Sequence, residues 1–90
     1  MKKILVVLSQ YRVCERILPI IPVLSDKYVL DCLLVYEMSV KHRWPGDDDP
    51  RKYFYDSYSR DFNKIFDGTD PSFSDYDLIL TDDNRVSSKT

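Results

Sequence analysis

Ile4-Leu5-Val6-Val7-Leu8, followed by the polar turn Ser9-Gln10-Tyr11-Arg12, is the stretch from which the fold is read. An apolar run without alternation cannot be a strand with one wet face. It reads as a strand covered on both sides, the habit of a parallel sheet. Lys2 and Lys3 keep its amino end in water. In open α/β sheets the working groups lie just beyond the carboxyl ends of such strands, so Ser9, Gln10 and Arg12 are the first candidates for ligand contact.

Working outward, Val13, Ile17, Ile20, Ile21 and Leu24 recur at helical spacing, interrupted by Pro19 and Pro22. Proline is tolerated only in a first helical turn. Either the helix starts near Leu18 after an irregular lead-in, or a longer helix is kinked; both readings end it near Ser25-Asp26-Lys27. Tyr28 to Tyr36 is a second mostly apolar strand. Asp31 in it is expected to reach solvent at the strand's beginning, and Glu37 closes its carboxyl end. Met38 to Pro50 reads as a long loop, with Trp44-Pro45-Gly46 and three consecutive aspartates as its signals.

Asp49-Pro50 is a helix start: an acceptor at the N-cap and proline at the first helical position. Phe54, Tyr58, Phe62 and Ile65/Phe66 form one stripe, which predicts a helix from Pro50 to Phe66 stopped by Gly68. Tyr76-Asp77-Leu78-Ile79-Leu80-Thr81 is then the third strand, with Asp82, Asp83 and Arg85 just past its carboxyl end.

These elements predict a single α/β domain over residues 1–90, a three-layer Rossmann-like fold with a short three-stranded parallel sheet. The order 2-1-3, in chain-order numbering, is preferred to 3-2-1. It centres the one strand without a polar member and places a helix on each face, which buries more apolar area. So few strands imply either the front part of a larger protein or a partner on an open sheet edge.

Composition bounds the function. The chain has 90 residues, 43% hydrophobic and 31% charged, with a net charge of −2, so a folded domain with no basic footprint for nucleic acid is expected. A domain of this size buries only roughly 60–65% of its unfolded surface. No run approaches the ~20 apolar residues of a membrane span. Cys14 and Cys32 form no disulfide framework and, with one histidine, no zinc spacing; both suit a reduced, cytoplasmic setting. A phosphatase loop starting at Cys14 would need an arginine where Ile20 stands.

No cofactor is expected, because the chain has only two glycines and lacks both the dinucleotide fingerprint and the P-loop. Arg12 offers a forked donor for phosphate or carboxylate, or is simply a solvated arginine at a helix start. Asp82-Asp83 offers carboxylates for sugar hydroxyls or Mg²⁺, or is turn chemistry. His42 is a general-base candidate or a surface histidine, and Trp44 a stacking platform or a loop anchor.

Two resemblances follow from these residues. Tyr76 to Asp82 resembles the phosphoacceptor strand of response-regulator receiver domains, but Ser9-Gln10 stands where their acidic pair belongs, so an active phosphoacceptor is not expected. The opening Lys2 to Val7, the proline-bearing Ile17-Leu18-Pro19-Ile20-Ile21-Pro22-Val23-Leu24-Ser25 and the Tyr76-Asp77-Leu78-Ile79-Leu80 strand resemble the amino-terminal half of GT-B glycosyltransferases and related nucleotide-sugar enzymes. That resemblance implies a domain not catalytic alone. Gln10, Arg12, Glu37 and Asp82 would line the acceptor side of a cleft for a sugar or nucleotide-sugar, with Ser9, Asp83 and Arg85 as further ligand-binding residues. A second Rossmann domain, or another copy at the sheet edge, would be the partner. A non-catalytic module pairing through that edge and a degenerate receiver-like domain are the alternatives.

Overall fold

The computed structural model describes residues 2–11, 15–44 and 49–81. The opening apolar run forms β1, Lys3–Leu8, with Leu5, Val6 and Leu8 fully buried. A 3-10 turn, Leu18–Ile20, leads into α1, Ile21–Ser25. Each of these short pieces has its proline in its first turn, so neither ring breaks a hydrogen bond that the backbone needs. β2 is Val29–Leu34. α2 is Pro50–Tyr58, started by Asp49, whose carboxylate accepts from the Arg51 amide at 2.9 Å. β3 is Lys64–Asp67 and β4 is Leu78–Thr81.

The sheet is parallel and four-stranded, in the order β3-β2-β1-β4. This corrects the expected three-stranded sheet of order 2-1-3. The difference is β3, in a segment whose spacing predicts the end of a helix. The helix gives way instead after Tyr58 through a 3-10 turn, Ser59–Asp61, and Phe62 is already extended at φ −102 and ψ 136. The Asn63 amide then donates to the Leu30 carbonyl at 2.7 Å, and Lys64–Asp67 pairs with Asp31–Leu34. Stopping the helix early satisfies the outer backbone groups of β2, which a helix could not do. The aromatic spacing is used all the same: Phe54 stacks on Tyr58 and packs against Phe62 at a centroid distance of 5.9 Å.

The placement of the helices is also corrected. Both lie on one face, not on opposite faces. Leu18, Ile21, Phe54 and Phe62 join Ile4, Val6, Leu8, Leu30, Cys32 and Leu34 in a single core cluster. The other face carries a smaller cluster, Leu5, Val7 and Leu33, with Val35, Phe66, Tyr76 and Ile79 partly buried against it. The cause is chirality. From β1 to β2 to β3 the chain advances in one direction, so two right-handed crossovers fall on the same side. β4 lies beyond β1, so the link 68–77 must return past β1 and β2 on the second side, where its Tyr76 is found.

Asp31 is likewise not at a solvated strand end. It faces the second side at 3% exposure, accepting from the Tyr76 hydroxyl at 2.7 Å and from Asn63 Nδ2 at 3.4 Å. Among the described residues no helix is long and apolar enough to cross a membrane.

Candidate functional site

The parallel strands bring their carboxyl ends to one edge. The Val35 amide donates to the Leu8 carbonyl at 2.9 Å and fixes the ends of β1 and β2 side by side. Ser9 follows β1 but is fully buried, so it belongs to the packing beneath the edge and not to its surface. Gln10 beside it and Glu37 beyond β2 are half-buried and reach that surface. Arg12, Asp82, Asp83 and Arg85 lie outside the described residues. Among the described residues Gln10 and Glu37 are therefore the expected ligand contacts that reach this edge.

The structure also has an open pocket at the carboxyl ends of β2 and β3, of about 390 Å³. Leu33, Leu34 and Val35 contribute to its lining from β2 and its end; Ser39, Lys41 and His42 line it from the following loop, and Gly68, Thr69 and Asp70 from beyond β3. Tyr36 is at its rim, 62% exposed and with φ at 52. A left-handed conformation is uncommon for a residue with a Cβ and is held here only by its surroundings. The 3-10 turn Tyr36–Met38 supplies them: Met38 is buried, and the Ser39 amide donates to the Tyr36 carbonyl at 3.0 Å.

The loop that carries Lys41 and His42 is braced from two sides. Arg51, on the first turn of α2, donates through Nη1 to the carbonyls of Ser39 and His42, while its Nε and Nη2 fork onto the Asp49 carboxylate. That pairing holds the Asp49 carboxyl below the usual carboxylate range and raises the Arg51 guanidinium above its own. From the sheet, Asp67 at the end of β3 accepts from the Val40 amide at 2.8 Å and the Tyr55 hydroxyl at 2.9 Å. Burial pushes the Tyr55 phenol up, and its bond to Asp67 adds to the shift, so it stays a donor.

Gly68 turns the chain out of β3 at φ +89, and the Lys41 side chain lies over it: Cε is 3.9 Å from where a Cβ would stand. Among the described residues no carboxylate pairs with the Lys41 ammonium. Trp44 is half-buried, its ring edge-on to His42 at 6.0 Å. Beside Leu33, Leu34 and Val35 the pocket thus offers an ammonium with no carboxylate partner among the described residues, an imidazole, the exposed carboxylate of Asp70 and the hydroxyls of Ser39 and Thr69. It can recognise a polar, charged small molecule.

This pocket is not among the strand-end sites that the sequence points to. Gly68 reads as the stop of a helix and Thr69-Asp70 as the link that follows it, not as the end of a strand. The available signal was the parallel with the other strand ends: Lys64-Ile65-Phe66-Asp67, like Tyr76 to Thr81, is a short apolar core that opens into polar residues. Comparison of the chain with known protein families, characterised proteins and solved structures finds no match to any of them.

Proposed function

We propose that this chain is a Rossmann-like ligand-binding domain of a glycosyltransferase-like enzyme, giving the acceptor side of a cleft and needing a further domain for catalysis. The observation that supports this reading is the strand order β3-β2-β1-β4. The chain leaves β1 toward β2 on one face and comes back to β4 by way of the other. A topological switch point therefore falls between β1 and β4, the place where doubly wound sheets hold their ligands. Gln10 stands beside it, and Glu37 and the pocket continue the same edge. The resemblance of Lys2 to Val7 and Tyr76 to Leu80 to nucleotide-sugar enzymes supplies the substrate class.

Titration of the ¹⁵N-labelled chain with nucleotide-sugars and acceptor oligosaccharides tests the reading. Amide shifts confined to the carboxyl edge, Gln10 and Glu37 among them, are expected; Arg12, Asp82, Asp83 and Arg85 are read in the same spectra. Absent or scattered shifts overturn it.

A second reading, a non-catalytic module that pairs through β4, is favoured by Leu78. It lies in register with Ile4, yet it is 50% exposed at the edge of the sheet. Sedimentation decides it: self-association lost in Leu78→Lys supports edge pairing, and a monomer at every concentration rules it out.

A further inference from the structure

We infer that the pocket between the carboxyl ends of β2 and β3 is a binding site for a phosphorylated monosaccharide. The inference rests on the ligand-binding reading above and narrows it to one chemical class. Size comes first: at about 390 Å³ the pocket is near the lower end of small-molecule sites, and a one-ring ligand suits it better than a dinucleotide.

Charge comes second. Lys41 reaches across Gly68 with its ammonium unpaired among the described residues, and His42 is next to it on the pocket wall. A cation at a concave, partly apolar site recognises a compact anion such as a phosphate. The third point is the rest of the wall. Asp70 and the Thr69 hydroxyl offer the acceptors and donor that vicinal sugar hydroxyls need; the buried Ser39 hydroxyl accepts from the Lys41 amide at 3.3 Å and keeps its proton to donate, and the exposed Tyr36 ring offers a flat face beside them. A bare anion would gain nothing from Asp70, whose charge repels it; a neutral sugar would leave Lys41 unused. A ligand carrying both groups uses the whole wall.

The site is also preformed. Arg51 grips the loop by the carbonyls of Ser39 and His42, and Asp67 grips it by the Val40 amide, so the backbone that carries Lys41 and His42 is placed without a ligand's help. Pre-placement of this kind lowers the ordering cost of binding.

The test is a titration of the ¹⁵N-labelled chain with glucose 1-phosphate, with free glucose and inorganic phosphate as separate arms. Glucose 1-phosphate is expected to shift the amides of Lys41, His42, Thr69 and Asp70. Each half-ligand, and Lys41→Gln with the whole one, should bind about tenfold more weakly, the scale of one charge-assisted hydrogen bond. Lys41 is exposed, so its replacement leaves the fold intact, which an unchanged spectrum elsewhere verifies. Shifts away from the pocket, an unaffected Lys41→Gln, or phosphate binding as tightly as the sugar phosphate overturns the inference. Nucleotide-sugar shifts at Gln10 with no glucose 1-phosphate shift at Lys41 would sink this inference and leave the broader reading standing. Glucose 1-phosphate binding at Lys41 without nucleotide-sugar or glycan shifts at Gln10 would do the reverse.

Discussion

Asp31 carries the sharpest consequences at the scale of a single residue. A carboxylate at 3% exposure within a sheet depends on its donors, and Tyr76 is the nearer of the two, at 2.7 Å against 3.4 Å for Asn63. Tyr76→Phe removes that donor while keeping the ring on the second face. The expected loss is about 1–3 kcal/mol, the cost of leaving a buried polar group short of a partner, read from urea unfolding. The same contact sets an alkaline limit. Burial, with the bond to Asp31, raises the Tyr76 phenol above its ordinary 10.0. The unfolded chain ionises there first, so this contribution is complete below that pH and is lost as the pH climbs through the higher folded value. Stability measured above pH 10.0 should therefore fall less steeply in Tyr76→Phe than in the parent chain.

Asp49 gives the mirror case. Arg51 lowers its carboxyl below 3.8, so its contribution is present above that value and is lost as the pH falls through the depressed one. Acid unfolding of Arg51→Gln is expected to be less dependent on pH in this range, checked by circular dichroism between neutral and strongly acid solution.

At the scale of elements, α2 is defined by its ends. Asp49 caps its start through the Arg51 amide, and the same carboxylate aims the Arg51 side chain at the loop. Asp49→Ala should cost about 1 kcal/mol of helix capping and lower the midpoint of thermal unfolding by roughly 4–8 °C. It should also loosen the loop that carries Lys41, seen as faster amide exchange at Val40 and His42. In Gly68→Ala there is room for the methyl, the nearest atoms being 3.9 Å away, but the φ of +89 suits only glycine. A loss of about 1 kcal/mol is expected from the backbone alone, with no cavity or clash in its structure.

The elements also show what could be read from the chain. β1, β2 and β4 are legible because each is an apolar run closed by polar residues. The start of α2 is legible because Asp49-Pro50 has a local mechanism that no tertiary contact overrides. β3 is not legible. It is four residues long, only Ile65 and Phe66 are apolar, and Phe54, Tyr58 and Phe62 before it recur at helical spacing. The unpaired backbone of β2 decides its state, and that is a long-range effect.

For the whole molecule, that one strand controls the rest. Without β3, the rule of right-handed crossovers sends two helices to opposite faces. With it, the same rule puts both on one face and brings the chain back along the other. The switch point between β1 and β4 and the pocket at β2 and β3 both follow from this winding. The polar turn after β1 was legible as an edge; the pocket was hidden with the strand that forms half of it.

All of this depends on residues 64–67 forming a parallel strand outside β2, which can be read in solution. Nuclear Overhauser contacts recorded on the intact chain should join the backbones of Cys32 and Ile65, and of Leu5 and Ile79, as the register requires. Amide-to-amide contacts running unbroken from Tyr58 to Asp67, with no contact between Cys32 and Ile65, would show a continuous helix there and no strand β3.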